Sequence, residues 1–358
     1  MTLYRLAAYH DLGSDHGPLH ARAVADTGRR YLADLPLPPY QSFPSASFRA
    51  ALAGEAAEAG EQDVAIRDPR ERPTARSSFA WQRLCADLDT WQQLDLTRQL
   101  AVSTVLARLG FWSVLAALPL PGRTSVHDGL RLAQRLCAAR RLVLGDTPEV
   151  TDRLRGLLRT QAEDDDLPPP LRLGAAVGLV VEHARSDVSL VAMAQWHSAA
   201  RALVARAPSG TYSKILLSVY WRGVSFVPFH QGDHDRVREM LDTSERLARA
   251  ALRAAGPQRR LLAEENLRLV LMTRARTAQA RGDREETEGR LRAVVRADPE
   301  DPVSQVRLAD FLVLVGRLHE ARDHYQRAAD LGAPCTVYAR EQIANCRVGR
   351  LTDAPATP

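Results

Sequence analysis

The sequence predicts an all-α fold: a solenoid of helical hairpins, preceded by an irregular helical N-terminal region. Three observations carry that expectation. Ala, Leu and Arg dominate the 358 residues while aromatics make up only 6%, a composition that favours helix over strand. From Ser78 onward, apolar residues recur at helical spacing in one segment after another. Pro302 to Pro334 reads as one complete helix–turn–helix unit. In it the small residues Ala309 and Ala321 let two helices approach, Tyr325 fills the space beside them, and Gly316 begins the turn.

Taken in order, residues 1–75 are loosely specified. Pro18 to Asp34 and Ala46 to Ala59 read as short helices, and Gly60 to Ser78, with Pro69 and Pro73, as a linker. A helical N-terminal region follows over 76–166. Ser77 or Ser78 caps a helix carrying Phe79, Trp81, Leu84, Leu88 and Trp91. Thr97 to Leu118 reads as one run, apolar on most sides and ended by Pro119 and Pro121. Helices over Ser125–Leu144 and Pro148–Ala162 come next, and the acidic run Glu163–Asp166 before Pro168-Pro169-Pro170 marks a break.

Over 167–350 the helices fall into pairs: Leu171–Arg185 with Val188–Ala207, Tyr212–His230 with Asp235–Ala255, Arg260–Arg281 with Glu285–Ala297, and Val303–Val315 with His319–Leu331. Thr336 to Arg347 is left as a terminal capping helix. Residues 351–358 read as a disordered tail.

The last paired units repeat. Gly282 lies 34 residues before Gly316, which sets Ala275 against Ala309 and Leu291 against Tyr325. The turn Gly232-Asp233 has the type of Gly282-Asp283, at a spacing of 50 residues. This pattern resembles the tetratricopeptide repeat, fully over 302–334, in part over 268–301, and least over 218–251. The resemblance covers about a third of the chain; the remainder is helical by periodicity alone.

Composition and motifs exclude several functions. The hydrophobic share is 45% and no apolar run is long enough to cross a membrane. Met1 to His10 has neither the basic nor the apolar segment of a secretory leader. Cys85, Cys137, Cys335 and Cys346 form no CxxC and read as reduced thiols of a cytoplasmic protein. The net charge of +5 is mild, and acidic residues are interleaved with the basic ones, which argues against a nucleic-acid face. Of the 48 basic residues, Lys214 alone is lysine. Phosphate-binding, dinucleotide, hydrolase and zinc-protease motifs are absent. The pairs His230/His234 and His16/His20 straddle glycines that break the helix a metal site would need. His319 and His324 face different directions, whereas His183 and His197 lie on facing helices and can meet. No catalytic residue, metal ligand or cofactor is assigned.

In tetratricopeptide stacks the first helix of each pair lines a concave groove, so the resemblance implies a partner-binding surface. By repeat position it is formed by Arg222, Phe226, Phe229 and His230, then Met272, Arg276 and Gln279, then Val306, Asp310 and Val313. Aromatics beside arginines suit an extended peptide or a protein tail; the alternative is that Phe226 and Phe229 are core residues. The Asn and Lys set of a carboxylate-clamp repeat protein is not present. The expected function is a non-enzymatic scaffold for a protein or peptide in a bacterial pathway, with no membrane and an open oligomeric state. The alternatives are a peptide- or signal-responsive regulator, and an enzyme of unrecognised type with its activity in the N-terminal half, residues 1–165, where the Trp81–Trp112 region and the isolated histidines are the place to look.

Overall fold

A computed structural model of the chain describes residues 30–33, 68–71, 79–109, 111–121, 127–144, 147–299, 301–331 and 336–348. Most of the 1–75 segment, the 351–358 tail and Cys335 lie outside them. The described residues contain no strand, so the fold is all-α.

The helices are α1 (Phe79–Asp89), α2 (Leu96–Leu109), α3 (Trp112–Ala117), α4 (His127–Leu144), α5 (Pro148–Glu163), α6 (Pro169–Ser186), α7 (Leu190–Arg206), α8 (Lys214–Val224), α9 (Phe226–His230), α10 (His234–Ala254), α11 (Pro257–Ala280), α12 (Arg284–Ala297), α13 (Pro302–Leu314), α14 (Leu318–Asp330) and α15 (Thr336–Val348). Leu115–Arg274 forms one compact unit, and the described residues on either side of it belong to a second.

Most expected helices are found within a residue or two of their bounds. Two are divided. The run Thr97–Leu118 is interrupted after Leu109, where the Phe111 N–H bonds back to the Leu106 carbonyl at 2.9 Å. The run Tyr212–His230 breaks at Ser225. Pro228 explains the place: it has no N–H for the Val224 carbonyl, and its ring crowds that carbonyl, so α8 ends at Val224. The Ser225 hydroxyl donates instead to the Arg222 carbonyl, at 2.7 Å.

Helix starts are set by capping side chains. Thr147, Ser189, Ser213, Asp233 and Asp283 each accept a backbone N–H three residues on, and Asp301 accepts that of Val303 before the first turn of α13. Each such cap is worth about 1 kcal/mol. Helix ends repeat one another. Gly232, Gly282 and Gly316 have φ of 77°, 74° and 80°. At all three, the residue after the glycine bonds five residues back and the glycine itself three residues back, at 2.8–3.1 Å. This is the Schellman turn, which needs a left-handed residue at the glycine position. The α6–α7 turn is different, since Val188 holds a positive φ of 47° there.

In the Leu115–Arg274 unit, α4 packs on α5, α5 on α6, α6 on both α7 and α8, and α8 on α10. Leu173, Val177, Leu179, Met193, Trp196 and Tyr220 are among the residues of its core. Where α8 crosses α6 the backbones are close: a Cβ on Gly223 would stand 2.3 Å from Val177 Cγ1. Deeper in, Ser218 of α8 and Ser244 of α10 bond each other's carbonyls at 2.9 and 2.8 Å, and Asn266 of α11 donates to the Ser218 hydroxyl at 3.0 Å.

In the second unit, α12 packs on α13, α13 on α14 and α14 on α15. Ala309 and Ala321 are fully buried at the α13–α14 approach, with Tyr325 beside them. The Tyr325 hydroxyl donates to Asp310 at 2.6 Å, and Tyr338 of α15 donates to the same oxygen at 2.9 Å. Tyr31, buried in this unit, donates its hydroxyl to Asp87 of α1. The Arg98 guanidinium of α2 covers its ring at 4.3 Å and pairs with Asp87.

Two stability predictions follow from this packing. Gly223→Ala lowers the unfolding free energy by about 1–3 kcal/mol, because β-branched Val177 cannot swing aside; Val177→Ala in the same chain recovers part of that loss. Urea denaturation of the single and double variants measures both. His324, hydrogen-bonded to Gln305 at 2.7 Å, has its pKa lowered by burial, against the attraction of Glu320 and with added repulsion from Arg292. The unfolded chain therefore protonates first as pH falls. Stability is full above the unfolded value of 6.5 and is lost as pH falls from there through the lower folded value. His324→Gln flattens that slope in urea midpoints taken at neutral and mildly acidic pH.

Candidate functional site

The expected groove residues divide between the two units. In the Leu115–Arg274 unit, Arg222 is half-buried at the end of α8, and its Nε is buried without an acceptor. Burial, with the charge of Arg185, pushes its pKa down to about 10. Phe226 is half-buried and packs against the core, and Phe229 meets the edge of the His230 ring at 5.4 Å between centroids. Met272 is half-buried on α11. In the other unit Arg276 and Gln279 are exposed, Val306 is in the core, and Val313 packs against it. Asp310 is held by the two tyrosines, and burial pushes its pKa up against the opposing effect of their hydrogen bonds. The Trp81 and Trp112 side chains lie outside the described residues.

The structure instead brings together a cleft of about 330 Å³ within the Leu115–Arg274 unit. One wall is a single face of α7: Ala194, His197, Ser198 and Arg201 follow one another at helical spacing. The other wall is the corner made by α9, the Gly232 turn and the start of α10. Val227, Pro228 and Met240 form an apolar floor, and Gln231 and Arg236 stand at the rim. The break that Pro228 imposes between α8 and α9 is what creates this corner.

The cleft's electrostatics are positive. The Asp233 carboxylate lines it but accepts the Arg236 N–H at 3.0 Å as the cap of α10. The Arg236 guanidinium pairs with Glu239 at 2.7 Å on an exposed face, an interaction worth about 0.2–1 kcal/mol. Arg201 is exposed and has no hydrogen bond or ion pair among the described residues. His197 has its pKa lowered, first by burial and then by the charges of Arg201 and Arg236. Its imidazole is therefore neutral at neutral pH and offers one donor and one acceptor.

The two histidines that the facing helices suggested could meet take separate partners or places. His183 turns to Asp187, at 3.3 Å from Nδ1, and His197 faces the cleft. Among the described residues no cluster of metal-ligating side chains occurs. The chemistry on offer is recognition: two guanidiniums, a neutral imidazole and amide and hydroxyl groups over an apolar floor. Sequence reasoning passed over Ser198, Arg201, Gln231 and Arg236. His197, Ser198 and Arg201, which share one face of α7, were the available signal.

No protein-family model matches the chain, and no curated protein matches it.

The charge of Arg201 is one cause of the low His197 pKa, so Arg201→Gln raises that pKa. Burial remains, and keeps it below 6.5. A side-chain NMR titration of His197 in the two proteins reads the shift.

Proposed function

We propose that the chain is a non-enzymatic scaffold that binds a protein or peptide through the faces of tetratricopeptide-like helical hairpins. The observation that carries this reading is the cleft between α7 and the α9–α10 corner. It is large enough for side chains of a partner, and its lining combines apolar contact area with arginine. The recurrent glycine turns and the close α13–α14 approach support a hairpin-repeat architecture, in which successive hairpins bury one another's apolar faces. No helix among the described residues is long and apolar enough to cross a membrane. Buried, unpaired Cys85 and Cys137 fit a reducing compartment, and this reading therefore places the scaffold in the cytoplasm.

The test is affinity capture from the native host, with the full chain as bait, against the same bait carrying Arg201→Glu and Arg236→Glu. The expected result is a specific protein retained by the wild type and depleted about tenfold or more by the variant, with circular dichroism unchanged. A wild-type bait that retains nothing specific overturns the scaffold reading.

A further inference from the structure

The cleft's charge, shape and unused groups go further than binding in general. Arg201 presents a planar five-donor fork with no acceptor of its own among the described residues, the group that best matches a carboxylate. Arg236 adds a second positive charge, and its surface pair with Glu239 is easily exchanged. Among the residues that line the cleft, these two charges stand against one carboxylate, that of Asp233, with Glu239 outside the lining. The balance suits a monoanion.

Asp233 also decides which anion. Free N–H groups at the start of α10 would favour phosphate. Here the Asp233 carboxylate occupies that position, bonded to the Arg236 N–H at 3.0 Å, and repels a dianion. The volume, about 330 Å³, exceeds a carboxylate alone. Met240, Val227 and Pro228 among its lining residues supply an apolar surface suited to methylene groups and a neighbouring aliphatic side chain. Neutral His197 supplies a hydrogen bond without adding charge.

Building on the scaffold reading, we propose that this cleft reads an acidic residue of a peptide. The side-chain carboxylate lies on Arg201, and the aliphatic part of the segment lies on the Met240 floor.

The test is NMR of the full chain, following the His197 ring signals as a local reporter. The probes are N-acetyl-Leu-Glu-Leu-amide, its Gln counterpart, glutarate and inorganic phosphate. The Glu peptide is expected to shift His197 saturably, with the Gln peptide about tenfold or more weaker, the scale of a charge-assisted hydrogen bond. Glutarate and phosphate, both dianions at about pH 8, shift His197 far less than the Glu peptide or not at all. Arg201→Gln abolishes the preference for Glu over Gln, while Arg201→Lys keeps the charge but not the fork and retains part of it. Both substitutions are at an exposed position, and unchanged circular dichroism shows that they leave the fold intact.

Equal response to the Glu and Gln peptides, a response unchanged in Arg201→Gln, or a stronger response to phosphate or glutarate than to the Glu peptide overturns the assignment. The scaffold reading fails separately: a captured partner with His197 silent to the Glu peptide rejects the cleft alone. A Glu-selective cleft in a chain that captures nothing rejects the scaffold and keeps the carboxylate site.

Discussion

Ser218 and Ser244 donate their hydroxyls to each other's backbone carbonyls across the α8–α10 contact. Bonds of that kind need two helix backbones brought within reach of a side chain two atoms long. The same demand for close approach appears where Gly223 meets Val177 and where Ala309 faces Ala321. Close approach fixes the angle and register of each hairpin, because larger side chains at the crossing would hold the backbones apart. The hydrophobic surface of the longer residues is then buried around these contacts rather than through them. Asn266 extends the Ser218–Ser244 pair to α11, so three helices of the Leu115–Arg274 unit share one buried polar junction.

Much of this was legible in the sequence, and the parts that were not share a cause. The glycine turns could be read because a positive φ has a residue signature, and the alanine positions because small residues recur at the repeat spacing. Helix bounds could be read because the prolines and glycines that interrupt the apolar period are local, whereas the caps of α5, α7, α8, α10, α12 and α13 were not singled out and the expected cap at Ser77 or Ser78 lies outside the described residues. The break at Ser225 inside the expected run Tyr212–His230 was missed: Pro228 has no N–H for the Val224 carbonyl, and the helix ends there. The cleft was out of reach for a different reason. Arg201 and Arg236 are ordinary solvated arginines along their own helices, and become a site only when α7 meets the α9–α10 corner. Asp310, a groove residue by repeat position, sits between tyrosines from two other helices, a relation that no local spacing encodes.

Two arginines illustrate how differently the fold treats the same side chain. Arg222 has a buried Nε without an acceptor, a neighbouring positive charge, and a pKa well below the ordinary arginine value. Arg274 is more deeply buried on its own helix but is met by Asp242 and Glu245 of α10. The second arrangement offsets the cost of removing a charge from water, and the first does not. Arg201 differs from both: it is exposed and has no ion pair among the described residues, so that engaging an anion costs it little desolvation.

The charge set itself has a consequence. Lys214, exposed at the first position of α8, is the chain's single lysine among 48 basic residues. Acylation of amines, which silences the charge of lysine-rich surfaces, has one side chain to act on here. That target lies at a helix start held by the Ser213 cap. Guanidiniums resist both acylation and deprotonation across the physiological range. The positive surface of this protein is therefore close to a fixed quantity, insensitive to the acetylation state of the cell, and a protease that cleaves after lysine has a single bond to cut, Lys214–Ile215 in the first turn of α8.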